Sequence, residues 1–357
     1  MLINNILIII QRSNGDVFLS ASLISQLKEN FHPCKIDLLV NDDTLPIAET
    51  LHHINKIFTF SYKKKKEERW LQEKTIFRNI YRKYDMSINL TASDRSVLYA
   101  LLASSYAISA VEKSIIKSWW KRLLLKFYYN FDSQKHILLN NLVPLSLLGL
   151  EYSKKVLEIH ASKIAVKNIK EKLDKLNITN FLIFHPSAQY KYKVYSESLR
   201  NELLHLFSET SLTIIVTGGV NAIDLDIKNT LPKFKNIFDW IGDTSINEYI
   251  ALSSLSDGYV GMDTLNMHIA ASQNKRIFAI FGPTNLSMWS PWSNHVQSGT
   301  KNNLPVQTYG NITIFQANMA CVACGKAGCN NQGISECLNH INPKRIHKEI
   351  ENWYNSV

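Results

Sequence analysis

Short apolar strands alternate with helical stretches along this chain, and that alternation restricts its fold more than any other feature. Residues 6–10 form a mostly β-branched run that ends in a polar turn, and the apolar positions of residues 17–27 then follow a helical spacing. The same pattern predicts strands at residues 35–40, 56–60 and 86–90. Strands that alternate with helices form a parallel sheet covered by helices on both faces.

The second half repeats this order of elements. A helix over residues 162–176 leads into a strand at residues 181–184. Further strands are predicted at residues 213–217, near Ile237, at 258–260 and at 276–281. The 357 residues are too many for one ordinary core and enough for two. We therefore expect two doubly wound α/β domains, residues 1–155 and 156–342, and a C-terminal helix within residues 343–357 that packs back on the first domain.

The formal charge of +10 makes this a basic chain. A basic surface favours anionic partners, namely nucleic acid, acidic lipids or phosphorylated substrates. No run reaches the roughly 18 apolar residues of a membrane-spanning helix. Residues 6–10 are too short for a secretory signal and lack its basic leader. We therefore expect a cytoplasmic protein that rests on a membrane surface.

Residues 113–131 mix lysine and arginine with tryptophan, phenylalanine and tyrosine. This composition is typical of a helix that lies in a membrane interface, and it also fits a core-packing helix with a solvated basic edge. The same segment is the one that would suit nucleic acid, but the leucines at residues 123–125 favour lipid. The sequence therefore predicts no nucleic-acid partner.

The turn after the first strand is the first candidate site, because open α/β sheets bind ligands at the carboxyl ends of their strands. In this turn Asp16 follows Gly15 where a helix begins. Asp16 fits two roles: a cap of that helix, or a general base that takes the proton of a sugar hydroxyl. Spacing alone favours the cap.

Two turns of the second half fit an anion. Lys191 and Lys193 precede a helix, where they offset the charge of a departing diphosphate or simply form a solvated basic loop. Residues 261–268 join a strand to an apolar helix, whose first amides suit a nucleotide diphosphate without any metal. In that turn Asp263 either contacts the ligand or caps the helix. His268 either contacts the ligand or is a buried structural residue.

Other nucleotide-binding signatures are missing from the sequence. No G-x-G-x-x-G motif follows the first strand and no G-x-x-x-x-G-K-[ST] motif occurs, which argues against nicotinamide dinucleotides and Walker-type nucleotide binding. Asp224 and Asp226 have the spacing of a metal-binding carboxylate pair, but they follow Gly218-Gly219 where a helix begins. We interpret this pair as surface residues.

Four cysteines cluster near the C-terminus: Cys321, Cys324, Cys329 and Cys337. Their spacing is compatible with a structural zinc or an iron–sulfur centre. Free thiols, or thiols oxidised in pairs, are the alternative. The lack of a visible secretory signal argues against a disulfide framework.

Taken together, several segments resemble glycosyltransferase family 9. The resembling stretches occur in the family's order at residues 6–9 with Gly15-Asp16, 36–39, 84–90, 242–245, 263–268 with Ala270-Ala271, 281–284 and 289–292. Within the family, the heptosyltransferase III branch is the most similar. The similarity to that branch lies in Asp43-Thr44 with Pro46-Ile47, and in the spacing from Pro186 to Lys193 and Tyr195.

This resemblance implies a GT-B fold with two Rossmann-like domains facing a central cleft, the first binding the acceptor and the second the nucleotide sugar. It implies inverting, metal-independent transfer of L-glycero-D-manno-heptose from ADP-heptose to a hydroxyl of the lipopolysaccharide inner core, with no cofactor required. The implied acceptor is anionic and lipid-linked. The implied location is therefore peripheral, on the cytoplasmic face of the inner membrane.

The resemblance also assigns roles to individual residues. Asp16 becomes the base, and Lys193 faces the leaving diphosphate, favoured over Lys191 by its distance from Pro186. Asp263 contacts the donor sugar. The remaining candidates are Thr264, Leu265, His268, Gly218, Gly219 and Asp224 for the donor, and Arg12 and Arg95 for the acceptor.

Two alternatives stay open at this point. One is an inverting transferase of the same fold that uses another nucleotide sugar, such as an N-acetylhexosamine donor. The other is a sugar-nucleotide binder without catalytic activity. The presence of both Asp16 and Lys193 argues against the second alternative.

Overall fold

The computed structural model describes residues 3–64 and 66–356. The chain divides into two compact units, Met1–Leu157 and Glu158–Val357. Each unit is built on a sheet of its own with helices packed on it. Within the described ranges, no helix is both long enough and apolar enough to cross a bilayer.

In the first unit, the described residues form a six-stranded parallel sheet with the order β3-β2-β1-β4-β5-β6. Its strands are β1 (Asn5–Ile10), β2 (Lys35–Asn41), β3 (Ile54–Phe60), β4 (Met86–Asn89), β5 (Ala107–Val111) and β6 (Phe127–Asn130). The helices are α1 (Asn14–Phe18), α2 (Ala21–Asn30), α3 (Leu45–Ala48), α4 (Lys66–Ile80), α5 (Asp94–Ala103), α6 (Ile115–Leu124) and α7 (Ile137–Leu147). A short 3-10 turn, Asp42–Thr44, precedes α3.

The second unit has, within its described part, a seven-stranded sheet with the order β12-β13-β11-β10-β7-β8-β9. Its strands are β7 (Leu182–His185), β8 (Ile214–Gly218), β9 (Ile237–Ile241), β10 (Gly258–Met262), β11 (Arg276–Ile280), β12 (Val306–Tyr309) and β13 (Ile312–Phe315). All neighbouring pairs are parallel except β12 and β13, which form an antiparallel edge.

The helices of the second unit connect these strands and end the chain. They are α8 (Lys163–Lys175), α9 (Glu197–Ser208), α10 (Ala222–Asn229), α11 (Ile246–Leu255), α12 (Leu265–Ser272), α13 (Leu286–Trp289), α14 (Glu336–Asn339) and α15 (Pro343–Tyr354). Two 3-10 turns, Lys191–Lys193 and Cys329–Asn331, lie in the connections. The first of them carries one of the predicted site residues.

Burial explains why the strands lack an apolar–polar alternation. All five side chains of residues 6–10 in β1 are fully buried. Helices on both faces of a parallel sheet remove both sides of a central strand from water, so such strands are apolar throughout. In the second unit, Phe184, Val216 and Val260 of adjacent strands lie in one buried cluster.

Both sheets contain a point where the order of strand addition reverses. This switch lies between β1 and β4 in the first sheet and between β7 and β10 in the second. The loops diverge there at the carboxyl ends of the strands, and open α/β sheets bind their ligands in the resulting crevice. The turns after β1, β7 and β10 are therefore the places that matter for function.

The C-terminal helix α15 packs within the second unit. It lies against α9, and Ile346 and Ile350 are buried in the core of that unit. The hydroxyl of Tyr195 also donates a hydrogen bond to the carbonyl of Ile341, just before the helix. Its apolar face thus fills the core of the second unit, and the expected packing of this helix on the first domain stays a prediction.

Residues 113–131 do not form a single helix. Helix α6 ends at Leu124, and the aromatic run that follows forms β6 at the edge of the first sheet. In β6, Tyr129 is buried and Tyr128 is exposed, which is the alternation of an edge strand.

Candidate active site

In the first unit, Asp16 lies at the switch point, in the helix that follows β1. Its carboxylate is buried, with 3% of the residue exposed. Arg12 Nε lies 2.7 Å from Asp16 Oδ1, and Ser13 donates a hydrogen bond from Oγ to Oδ2 over 2.6 Å. The backbone amide of Ser13 also donates to Oδ2, so Asp16 caps the first turn of α1 from its third position. The capping role that spacing favoured is therefore present in the structure.

The surroundings of Asp16 also change its proton affinity. Burial raises the pKa of this carboxyl above its usual 3.8, and the charge of Arg12 and the hydrogen bonds from Ser13 only partly oppose that rise. A carboxylate whose pKa is raised by burial takes up a proton more readily than one in water. Burial, acting against the contacts that cap the helix, thus leaves a group suited to general-base chemistry.

The two arginines predicted to bind the acceptor flank the same switch point. Arg12 follows β1, and its guanidinium lies 4.5 Å from the ring centroid of Phe131. Arg95 is at the start of α5 after β4, with its guanidinium 4.2 Å from the ring centroid of Phe60 and 4.8 Å from that of Tyr62. Stacking on aromatic rings fixes the plane of a guanidinium, which favours recognition of phosphate or carboxylate groups.

In the second unit, the structure brings Lys193 and Asp263 together. Lys193 Nζ lies 2.7 Å from Asp263 Oδ2, and the side chains are 22% and 6% exposed. Lys193 ends the 3-10 turn after β7, and Asp263 directly follows β10, the neighbouring strand at the switch point. By contrast, Lys191 in the same turn is exposed.

Close packing of β7 and β10 makes this pairing feasible. Gly261 of β10 is paired with His185 of β7, and a Cβ at Gly261 would lie 2.4 Å from the His185 carbonyl oxygen. A side chain there would force the strands apart. Asp263 is two residues further on, so the glycine helps to set its position.

The ion pair keeps Lys193 charged. Burial lowers the pKa of its ammonium group, but the charge of Asp263 and the hydrogen bond to it outweigh burial, and the net shift is upward. A permanently charged, partly desolvated cation at a sheet switch point can stabilise negative charge that develops on a bound ligand.

Helix α12 begins beside this pair. Thr264 is its N-cap and Leu265 its first residue, so Asp263 pairs with Lys193 and does not occupy the cap position. The Thr264 hydroxyl lies 3.4 Å from the hydroxyl of Tyr259. The amides at the start of a helix attract anions through their partial positive charge. Lys193 and these amides together place positive charge at one point of the second unit, an arrangement suited to an anion.

Sequence reasoning gave no role to His185, which ends β7 in this same region. Its Nδ1 lies 3.0 Å from both Thr217 Oγ1 and Asn266 Nδ2. Burial lowers the pKa of this imidazole to about 4, against the opposing charge of Asp224, so the ring is neutral at physiological pH. It holds Asn266, the second residue of α12, in place. The His-Pro pair at the end of the strand was visible in the sequence, but the partners of His185 lie elsewhere along the chain, Thr217 in β8 and Asn266 in α12.

The glycine pair at the end of β8 makes room for a buried carboxylate. A Cβ at Gly218 would lie 3.0 Å from Asp224 Oδ1, and one at Gly219 would lie 2.9 Å from Oδ2. Asp224 accepts a hydrogen bond from the amide of Asn221 over 3.2 Å and is the third residue of the α10 capping box. The interpretation of Asp224 as a surface residue is therefore wrong, since only 2% of it is exposed; Asp226 is exposed.

His268 lies in α12 and is 3% exposed. Burial lowers the pKa of its imidazole to about 4, with Asp263 opposing this shift and Lys193 adding to it. Its ring centroid lies 6.4 Å from that of Trp289. His268 is thus a buried, neutral residue close enough to feel the charges of Lys193 and Asp263.

The four C-terminal cysteines are free thiols. Cys337 is buried, Cys329 is half-buried, and Cys321 and Cys324 are exposed. Burial raises the pKa of the Cys337 thiol to about 11, and the nearby thiols of the other three add to this rise. Nevertheless, no group of three or more His, Cys, Asp or Glu side chains in the described residues is arranged to hold a metal ion. The predicted four-thiolate geometry is therefore not formed here.

Comparison with known proteins places this chain in a family. Residues 74–312 match the model of glycosyltransferase family 9 (heptosyltransferase). The chain is 25% identical over 293 residues to lipopolysaccharide heptosyltransferase 3 of Escherichia coli, an alignment that covers 80% of this chain and 85% of that protein.

Solved structures show the same fold. A family 9 glycosyl transferase from Veillonella parvula DSM 2008 superposes with a TM-score of 0.78 at 16% identity, covering 100% of this chain and 99% of the other. The ADP-heptose lipopolysaccharide heptosyltransferase II of E. coli gives a TM-score of 0.69 at 16% identity, covering 98% of both chains. With well over half its length matched by the family model and a GT-B fold in common with solved members, the chain belongs to glycosyltransferase family 9 and is a glycosyltransferase.

Proposed function

We propose that this enzyme transfers L-glycero-D-manno-heptose from ADP-heptose to a hydroxyl of the lipopolysaccharide inner core, with inversion and without a catalytic metal. The Lys193–Asp263 ion pair beside the first amides of α12 is the observation that carries this proposal. In this proposal the Lys193 ammonium group, held in place by Asp263, supplies positive charge where the nucleotide diphosphate departs. The similarity to E. coli lipopolysaccharide heptosyltransferase 3 supports the choice of donor and acceptor class.

The donor is proposed to bind the second unit. Lys193 and the amides of Thr264 and Leu265 receive the negative charge as the bond between the anomeric carbon and the diphosphate oxygen breaks, and ADP leaves. Asp263 orients Lys193 and contacts the heptose. Gly218, Gly219, Asp224 and His268 complete the proposed donor-binding set.

The acceptor is proposed to bind the first unit. Asp16 takes the proton of the attacking hydroxyl, whose oxygen forms the new bond to the anomeric carbon on the face opposite the diphosphate. This displacement inverts the anomeric configuration. Arg12 and Arg95, held on aromatic rings, pair with phosphate groups of the acceptor. An anionic, lipid-linked acceptor would place the enzyme on the cytoplasmic face of the inner membrane, where its charge of +10 favours binding.

The direct test is to incubate the purified enzyme with ADP-heptose and a panel of truncated core acceptors, and to follow acceptor mass. We expect one acceptor to gain the mass of one heptose. ADP-heptose should also protect the enzyme against heat better than UDP- or GDP-sugars do. Preferential protection by a UDP-sugar would replace this donor with the N-acetylhexosamine alternative. Binding of ADP-heptose with no turnover on any acceptor would make the chain a non-catalytic binder.

We further propose that the four-cysteine segment has a structural role, with or without a bound zinc or iron–sulfur centre. None of the groups assigned to transfer is a thiol. Replacing Cys321 and Cys324, both exposed, by serine is therefore expected to leave kcat within about twofold. Metal analysis of the wild type and the double variant shows whether a metal is held and lost. A large fall in kcat without a fall in Tm would contradict a structural role.

A further inference from the structure

Helix α6 in the first unit exposes its apolar face to solvent and buries a lysine, the opposite of an ordinary surface helix. Ile116, Trp119 and Leu123 are 87%, 61% and 76% exposed, while Ser118 and Lys121 are fully buried. The exposed residues have the i, i+3, i+7 spacing of one helical face. A surface helix normally turns such an apolar face toward the core and its lysines toward water. The apolar face of α6 points outward.

Ion pairs and hydrogen bonds hold α6 in this orientation. Lys121 Nζ lies 2.6 Å from Asp94 Oδ1 and 2.7 Å from Glu112 Oε2, and it donates to the carbonyl of Ala92. Arg122 Nε donates to Ser118 Oγ over 2.8 Å. A buried cation with these partners cannot turn out to water without leaving the carboxylates unpaired. The exposed apolar face is therefore a fixed feature of the fold.

Two other helices of the first unit also carry exposed apolar side chains. Helices α4, α5 and α6 make successive right-handed crossovers in one direction along the sheet, so they lie on the same face. Trp70 of α4 is 76% exposed and Leu98 of α5 is 48% exposed. Exposed apolar side chains in one layer indicate a surface that a partner covers.

The residues around this surface fit an anionic bilayer. The sequence of α6 contains no aspartate or glutamate, and Lys117 and Lys126 are exposed beside its apolar face. Trp119 and the 40% exposed Tyr128 have the amphipathic rings that prefer the interface between lipid and water. A ten-residue helix, about 15 Å long, lies along such an interface and does not cross it.

We propose that the outward face of α6, centred on Ile116, Trp119 and Leu123, docks this enzyme onto an anionic lipid bilayer. The proposal rests on the proposed function in one respect, since a lipid-linked acceptor gives the docking its purpose. The apolar side chains enter the headgroup region, and Lys117 and Lys126 meet the lipid phosphates. Docking through α6 does not involve the groups assigned to transfer.

The test is co-sedimentation of the full-length enzyme with vesicles of phosphatidylcholine alone or mixed with phosphatidylglycerol. The variant is Ile116→Ser/Leu123→Ser, and the matched control is Ile164→Ser/Leu304→Ser, which removes two exposed apolar side chains from the second unit. We expect the α6 variant to bind the mixed vesicles about tenfold more weakly, and the control to bind within about twofold of wild type. Both should keep wild-type Tm and wild-type transfer to a deacylated, water-soluble acceptor.

Several outcomes would overturn the docking proposal: unchanged vesicle binding by the α6 variant, an equal loss in the control, or a wild-type dimer that the α6 variant dissociates. The last outcome would make a second copy of the chain the partner of this face. Normal vesicle binding by an enzyme that transfers no heptose to the soluble acceptor would instead refute the proposed function and leave the docking surface intact.

Discussion

Replacing Asp16 by asparagine is expected to lower kcat for heptose transfer about a thousandfold. The amide has almost the same shape, and its one oxygen can still accept from Ser13 or from Arg12, though not from both. It cannot accept the proton of the acceptor hydroxyl. Stability should change little, because the raised pKa means that ionised Asp16 costs folding free energy at neutral pH. Steady-state rates with ADP-heptose and the identified acceptor, with Tm measured in parallel, give both quantities.

The pH dependence of the wild type tests the same role. A base must be ionised, so kcat/KM should fall as the pH drops through the pKa of Asp16, which burial raises above 3.8. That acidic limb should be absent from the residual activity of Asp16→Asn. An unchanged acidic limb in the variant would assign the base to another group.

Ser13→Ala is the matched control for the capping role of Asp16. It removes the hydroxyl that donates to Asp16 Oδ2 and keeps the carboxylate. Loss of a cap contact costs about 1 kcal/mol of stability, so Tm should fall while most of kcat remains. If Asp16 only caps α1, both variants would lose activity in proportion to their loss of stability.

The sequence predicted the α/β class and the strands around both switch points because central parallel strands are apolar throughout. It did not predict β6, whose four residues are too few to show a period and follow directly on an aromatic-rich helix. It also left open the direction in which α6 faces. That direction depends on the contacts of Lys121 with Asp94, 27 residues earlier, and with Glu112 just after the preceding strand, which the helical spacing alone does not give.

Candidate site residues could be predicted where a single strand-to-helix turn contains the carboxylate, as at Asp16 and at Asp263. The burial of Asp224 was not predictable, because it depends on how closely the carboxylate at the start of α10 folds back on Gly218 and Gly219 at the other end of the same turn. The contact of His185 with Asn266 likewise joins residues 81 positions apart. Such contacts follow from strand order, which the pattern of a single sequence does not give.

Replacing Lys193 by methionine is expected to lower kcat by about two to three orders of magnitude. Methionine keeps much of the apolar stem but supplies no charge to the departing diphosphate. The KM for ADP-heptose should rise much less than kcat falls, because the charge to be stabilised develops in the transition state. Lys191→Met removes an exposed lysine from the same turn and should stay within about threefold of wild type.

Lys193→Met is also expected to lower stability, and this effect must be separated from the loss of catalytic charge. The substitution leaves the 6% exposed carboxylate of Asp263 without its partner. An unpaired buried charge lowers the free energy of unfolding by about 3 kcal/mol or more. The double variant Lys193→Met/Asp263→Asn removes that buried charge, so its Tm should recover toward that of the wild type. Its kcat should stay low, because the cation is still missing. Recovery of kcat along with Tm would show that Lys193 serves only to neutralise Asp263, and the leaving-group role would then belong elsewhere.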